Sequence, residues 1–116
     1  MSSFDPDERR YLAEARGLAR IATVGADGSP HVVPSGWSYD EDLDALVLGG
    51  RQLERTKKFR DVRATGRAAV VIDDVVPPWQ PRGVEVRGRA EAIVGPPAVI
   101  RVHPDRVVSW GLDATA

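Results

Sequence analysis

The chain has 116 residues, of which 42% are hydrophobic and 28% are charged, and its formal net charge is -1. These values are typical of a single globular domain over residues 1–116 and exclude a two-domain protein. Cysteine is absent, and His31 and His103 cannot alone supply a three-ligand zinc centre, so we expect no metal site. The sequence contains no apolar run of membrane-spanning length and no signal-peptide pattern at its start, so we expect a cytoplasmic protein.

The first predicted element is a helix that begins after Asp5. Asp5, Pro6 and Glu8 form the pattern of a capping box with proline at the first helical position. Tyr11, Leu12, Ala15 and Leu18 then recur at helical spacing, and Gly17 predicts the end of the helix.

Short strands follow the helix. Residues 21–25 and 30–39 flank an Asp27-Gly28 pair, which predicts a hairpin. An acidic turn at 40–44 leads into a third strand at 45–48, which ends at Gly49-Gly50.

The second half of the sequence predicts one helix and further strands. Leu53, Thr56, Phe59 and Val62 form an apolar seam, which predicts a helix over residues 52–63. Strands are expected at 67–72, at 83–94, where apolar and charged residues alternate strictly, at 98–103 and at 106–110, with a turn at Pro104-Asp105. Three prolines in residues 75–81 argue against helix or central strand there.

The count is about six strands and two helices, and the short spacing excludes a parallel sheet. We therefore expect a mainly β, antiparallel barrel-like domain.

Residues 51–67 carry seven basic and two acidic side chains, although the chain as a whole is slightly acidic. One interpretation is a solvated helix face. The other is an anion site in which Gly49-Gly50 allows close backbone approach, while the side chains supply hydroxyl and cationic donors for a phosphate. Those side chains are Arg51, Arg55, Thr56, Lys57 and Lys58. Lys57 and Lys58 are the only lysines of the chain, which favours the anion site.

Other chemistries have less support. Only 6% of residues are aromatic, and Trp37, Trp79 and Trp110 do not alternate with basic residues, which argues against nucleic-acid binding. His31 fits a hydrogen-bonding partner better than a general base, because no carboxylate is placed in the sequence to orient it. No catalytic triad, Walker loop or Rossmann fingerprint is present.

Four segments of the chain have a recognisable pattern, namely RIATVGADGSPHVVP at 20–34, RTKKFRDVR at 55–63, RGVEVRGRAE at 82–91 and IRVHPDRVVSWG at 100–111. In this order they resemble the pyridoxamine 5'-phosphate oxidase-like family of split barrels, and specifically its small actinobacterial branch of F420-dependent enzymes. The resemblance implies a six-stranded antiparallel split β-barrel of the FMN-binding type with two short helices. It also implies a homodimer with F420 or FMN at the subunit interface.

The resemblance also implies which residues hold the cofactor. Thr56, Lys57 and Lys58 match the positions that hold its phosphate, and His31, Val33, Pro34 and Ser35 match the strand along its ring system. Trp79 and Arg82 match a segment contributed by the partner subunit. In this chain Gly83 stands where the oxidases carry a flavin-contacting glutamine, and only Gly95-Pro96-Pro97 remains of a longer segment between the last two strands.

We therefore expect an oxidoreductase that uses F420 to transfer hydride to an unsaturated small molecule. An FMN-dependent oxidoreductase and a non-catalytic flavin- or F420-binding protein remain as alternatives. The sequence identifies no protein acid or base and no particular substrate.

Overall fold

A computed structural model describes residues 1–112 of the chain. In these residues it shows two α-helices, one short 3-10 helix and seven strands. They are α1 (Pro6–Glu14), β1 (Ala19–Val24), β2 (Pro30–Ser35), β3 (Trp37–Asp40), β4 (Ala45–Leu48), the 3-10 helix (Leu53–Arg55), α2 (Lys57–Thr65), β5 (Arg67–Val76), β6 (Gln80–Ile93) and β7 (Val99–Trp110).

The strands form one curled antiparallel sheet in the order β2-β1-β5-β6-β7-β4-β3. The two edge strands, β2 and β3, follow each other in the chain and are joined through Gly36. The sheet is thus an open, split barrel, as predicted. The described residues contain no helix long and apolar enough to cross a membrane.

The inner face of the sheet carries the core. Alternate residues of the central strands are fully buried there, and α1 and α2 add Tyr11, Leu12, Phe59 and Val62 to the same cluster. The largest fully buried side chains on the sheet are Ile21, Leu46, Leu48, Val70, Ile72, Val84, Val86, Ile100 and Val102. The opposite, outer face is left exposed.

The structure has seven strands where about six were expected, and the predicted strand over residues 30–39 is two strands. The strand is interrupted at Gly36. There Ser35 Oγ shares its hydrogen bond between the carbonyl oxygens of Gly36 and Gly49, at 2.9 and 3.2 Å. β2 then pairs with β1, whereas β3 pairs with β4.

Residues 75–81 form neither a helix nor a central strand, as predicted, but strand pairing extends into this segment. β5 and β6 form a long hairpin that pairs as far as Val76 and Gln80. β1 pairs with β5 only up to Val71 and β7 pairs with β6 only from Gly83, so the outer part of this hairpin is a two-stranded ribbon. Pro81 can lie in β6 because it needs no second neighbour there.

The two strands predicted at 98–103 and 106–110 are one continuous strand, β7. The register shifts between Arg87 and Gly88, opposite the residues that include Pro104. This bulge absorbs the proline that was predicted to turn the chain. Gly88 is required there, because a Cβ would lie 1.8 Å from the carbonyl oxygen of His103.

The helix ends differ from prediction in one place that matters for the site. The capping box of α1 is present, with Asp5 and Glu8 each accepting from the other's backbone. The helix predicted over 52–63 is instead a 3-10 turn followed by α2, with Thr56 as the N-cap and Gly66 at the C-cap in a left-handed conformation. The first turn of α2 therefore begins at Lys57.

Candidate functional site

The first turn of α2 is the most cationic part of the described chain. Thr56 caps the helix: its hydroxyl donates to the Leu53 carbonyl at 2.6 Å and accepts from the Phe59 amide at 3.3 Å. The first amides of a helix have no partner inside it, and the helix dipole adds positive potential there. Thr56 thus orders the helix start, and its proton is already engaged with the protein.

The two lysines at this helix start differ in their surroundings. Lys58 is only 9% exposed and has no ion pair or hydrogen bond with any residue of 1–112. The ammonium of Lys57 instead lies 2.9 and 3.1 Å from the two carboxylate oxygens of Asp61, one turn further along α2. Lys58 is therefore the cation of this pair that remains available to a ligand.

Asp61 is buried, and its second donor comes from the sheet. It is 4% exposed, and its Oδ2 accepts from Thr23 Oγ1 of β1 at 2.8 Å. The hydrogen bond from Lys57 is the main reason why the pKa of Asp61 lies below its ordinary value, and Thr23 adds to the effect against the opposing cost of burial. The carboxylate is therefore ionised and its charge is balanced by Lys57.

The arginines around α2 are divided between intramolecular contacts and solvent. Arg60 Nη1 donates to the Arg55 carbonyl at 3.0 Å, and Arg63 stacks over the Phe59 ring at 5.3 Å. The side chains of Arg51 and Arg55 are exposed and make no ion pair with any residue of 1–112. These two arginines extend the positive surface beyond Lys58.

β2 brings the next group of expected residues beside α2. His31 pairs with Thr23 in the β1–β2 register, and its charge contributes to the lowered pKa of Asp61. Val33 packs against the core and Ser35 is buried, whereas Val32 and Pro34 point outward and are exposed. β2 is an edge strand, so within residues 1–112 one row of its backbone donors and acceptors has no strand partner.

Trp79 and Arg82 lie elsewhere, on the β5–β6 hairpin. Trp79 is 74% exposed at the hairpin tip. Arg82 donates to both oxygens of Asp74, at 2.8 and 3.0 Å, and its guanidinium lies 5.2 Å from the ring centre of Tyr11. Arg82 is thus engaged within its own chain.

The hairpin tip is far from α2 in the same protomer. Gly66, at the end of α2, accepts from the Ala90 amide, and Thr23, which contacts Asp61, lies level with Ala68 and Gly88 in the sheet. From Gly88 to Gln80 is eight residues of β6, or about 26 Å at 3.3 Å per residue. One protomer does not bring Trp79 to Lys58.

A groove of about 660 Å³ lies next to the chain segment that leads into α2. Gly36, Gly49, Gly50 and Leu53 form one side, and the Gly95-Pro96-Pro97 turn forms part of its lining, together with Trp37. The turn between β6 and β7 is therefore part of the wall of this groove.

Three residues of the site were missed from the sequence. Asp61 and Thr23 complete the Lys57 network, and Gly25 lies against it. The Lys57/Asp61 spacing of four residues on a helix is a recognisable ion-pair signal, whereas the contact with Thr23 depends on the way the sheet folds.

The family model described as pyridoxamine 5'-phosphate oxidase matches residues 5–111. The chain is 38% identical over 121 aligned positions to the 5a,11a-dehydrotetracycline/5a,11a-dehydrooxytetracycline reductase of Streptomyces rimosus subsp. rimosus, covering 95% of this chain and 84% of the relative.

Two solved structures share the fold. One is a FAD-binding protein from Mesorhizobium loti, with a TM-score of 0.73 at 20% identity and coverage of 94% of both chains. The other is an F420 reductase, with a TM-score of 0.68 at 22% identity over 85% of this chain and 94% of the other. The family match and the reductase relative, on a split barrel with this topology, show that the chain belongs to the pyridoxamine 5'-phosphate oxidase family and is an oxidoreductase.

Proposed function

We propose that the chain is an F420-dependent reductase that acts on an unsaturated small molecule. The observation that carries the proposal is Lys58: a nine-tenths buried lysine with no partner in residues 1–112, in the first turn of a helix, where a phosphate binds well. The relative acts, by its name, on dehydrotetracyclines, and the same fold is found in an F420 reductase.

The residues present fit such a cofactor. Lys58 and the first amides of α2 would bind the phosphate, with Arg51 and Arg55 beyond it for further negative charge. The unpaired edge of β2, along Val33, Pro34 and Ser35, would offer backbone donors and acceptors to a planar heterocycle. Reduced F420, when bound, supplies the hydride.

The protein's own contribution is binding, orientation and exclusion of water. The groove beside Gly49-Gly50 is lined largely by glycines, prolines and Trp37, which suits a flat, mostly apolar substrate. His31 of β2 pairs with Thr23, which contacts Asp61, and is a positioning residue of the network in this proposal. No side chain is assigned as acid or base.

We further propose that the chain works as a homodimer. The outer face of the sheet exposes Val32 and Val24, at 65% and 43%, and the neighbouring Ala22, Ala69 and Val71 are only partly covered. A second copy would cover this apolar face and could bring its own Trp79 to the α2 site, which one protomer cannot do.

Replacing Val32 by glutamate tests the dimer. A charge on this face should convert the dimer to a monomer, because an unpaired charge is costly to bury in an interface. Leu43→Glu, at a 42% exposed position in the turn between β3 and β4, is the matched control and should remain dimeric. Light scattering at micromolar concentration reads the mass, and a wild-type monomer would contradict the proposal.

A flavin is the second candidate, favoured by the FAD-binding neighbour of the same fold. F420 carries a phosphate and an oligoglutamate tail, so it has more negative charge than FMN to place near Arg51 and Arg55. We expect F420 to bind more tightly than FMN, with an affinity that falls more steeply as salt rises.

Titration of the protein with each cofactor at two ionic strengths separates these candidates. Tighter FMN binding with a shallow salt dependence would move the assignment to the flavin branch. F420 binding without turnover of any conjugated enone would indicate a cofactor-binding protein.

A further inference from the structure

The adjacent lysines Lys57 and Lys58 differ in burial and in their contacts. In residues 1–112 every buried side-chain nitrogen and oxygen has a partner, yet Lys58 makes no hydrogen bond or ion pair there. Its ammonium therefore reaches the surface from a buried stem. Lys57 is half-exposed, but its ammonium is held by both oxygens of Asp61.

The turn between β1 and β2 packs directly on this ion pair. A Cβ added at Gly25 would lie 3.0 Å from Asp27 Oδ1 and 3.2 Å from both Asp61 Oδ1 and Lys57 Nζ. Lys57 is thus paired with the carboxylate of Asp61 and lies near that of Asp27 in the turn. The hydrogen bond from Thr23 to Asp61 ties the β1–β2 hairpin, which carries the β2 edge, to α2.

Releasing Lys57 from this position is unfavourable. Asp61 is 4% exposed, and a buried carboxylate that loses its cation keeps the full cost of its desolvation. An anion at the helix start that recruited Lys57 would leave Asp61 in that state. Lys58 has no such competing partner in residues 1–112.

We propose that Asp61 is a positioning residue that sequesters Lys57, so that an anion at the first turn of α2 is bound by Lys58 and not by both lysines. This rests on the anion site of the proposed function and narrows it to one cation. It also implies a latent second site: without the charge of Asp61, Lys57 becomes available to the anion.

Each lysine can be observed separately, because Lys57 and Lys58 are the only lysines of the chain. In protein labelled with 13C,15N-lysine we expect two side-chain signals, assigned with Lys57→Met and Lys58→Met. Inorganic phosphate should shift the Lys58 signal and leave that of Lys57 in place. In Asp61→Asn, which can still hydrogen-bond Thr23, both signals should move with phosphate.

Affinities for phosphate and F420 give the second readout. Lys58→Met keeps the buried stem and should weaken binding at least tenfold, since a hydrogen bond from a charged donor contributes about 1.5–3 kcal/mol. Lys57→Met should change it less than threefold. Adding Asp61→Asn to Lys58→Met should regain at least threefold in affinity, which loss of a purely structural contact would not produce.

Equal losses in Lys57→Met and Lys58→Met would overturn the division of roles, even if the Asp61 variant fails to fold. Absence of any regain in a folded double variant would overturn the positioning role of Asp61. If wild type binds neither phosphate nor F420, the proposed function fails instead. The Lys57–Asp61 pair would then still be visible as a shift of the Lys57 signal alone in Asp61→Asn.

Discussion

At Gly83, where the sequence resemblance implies a glutamine, the structure leaves no room for a side chain. Gly83 pairs with Asp73 on one side and with Trp110 on the other. A Cβ at Gly83 would lie 2.7 Å from Trp110 Cζ2, 2.8 Å from Asp73 Cβ and 2.9 Å from the Ile72 carbonyl oxygen. The Trp110 indole occupies the space that a side chain would need.

Gly83→Ala should therefore be destabilising. Overpacking of this kind costs about 1–3 kcal/mol. For a domain of this size 1 kcal/mol corresponds to about 4 °C in Tm, so we expect a fall of about 4–12 °C in thermal unfolding. Trp110 is 38% exposed and can move aside, whereas the Ile72 carbonyl belongs to β5 and cannot.

Two further variants test the geometry. Gly36→Ala is the matched control, because a Cβ there meets nothing within 4 Å, and its Tm should stay within about 2 °C of wild type. Trp110→Ala should recover part of the loss caused by Gly83→Ala, since one of three close contacts is removed. Equal melting of the Gly83 and Gly36 variants would refute the reasoning.

Two other predictions concern the polar contacts of Asp44 and Asp74. Burial opposes the charge of Asp44, but hydrogen bonds from Tyr39, Ser3 and Ser2 outweigh it and lower its pKa from 3.8 to about 2. The ionised Asp44 therefore stabilises the fold fully above pH 4, and this stabilisation is lost as the pH falls towards 2. We expect the free energy of unfolding in urea to fall by about 1–2 kcal/mol over this range, after allowance for solvent screening. Asp44→Asn should lack this decline. Burial and the hydrogen bond to Asp74 raise the pKa of Tyr11. Asp74→Asn should therefore lower this pKa, which ultraviolet titration of the phenols measures. An unchanged Tyr11 titration would contradict the contact.

The elements that local chemistry specifies were predictable from the sequence. The capping residues Asp5 and Glu8, the Asp27-Gly28 hairpin and the strict alternation along β6 each depend on neighbours within a few residues. The errors arose where long-range pairing decides. Pro104 was predicted to turn the chain, yet a bulge opposite Gly88 keeps it within β7.

The proline-rich segment shows the same limit. The rule against proline in a central strand is sound, but it applies to a strand with two neighbours. Beyond Val71, β5 no longer pairs with β1, and before Gly83, β6 does not yet pair with β7. Both strands of the outer hairpin are therefore edge strands. Nothing in residues 75–81 indicates how far the neighbouring strands extend.

The positive charge of residues 51–67 was also visible in the sequence, but the sequence did not show which of these side chains are free to bind a ligand. Of the seven basic residues in 51–67, Lys57 is paired with Asp61, Arg67 with Asp105, Arg60 bonds the Arg55 carbonyl and Arg63 covers Phe59. Within residues 1–112 this leaves Lys58, Arg51 and Arg55 without such contacts. The salt dependence of ligand binding follows the cations that contact the ligand, because only those exchange their counterions for it. The slope for F420 should therefore reflect about three charges and not the whole basic segment.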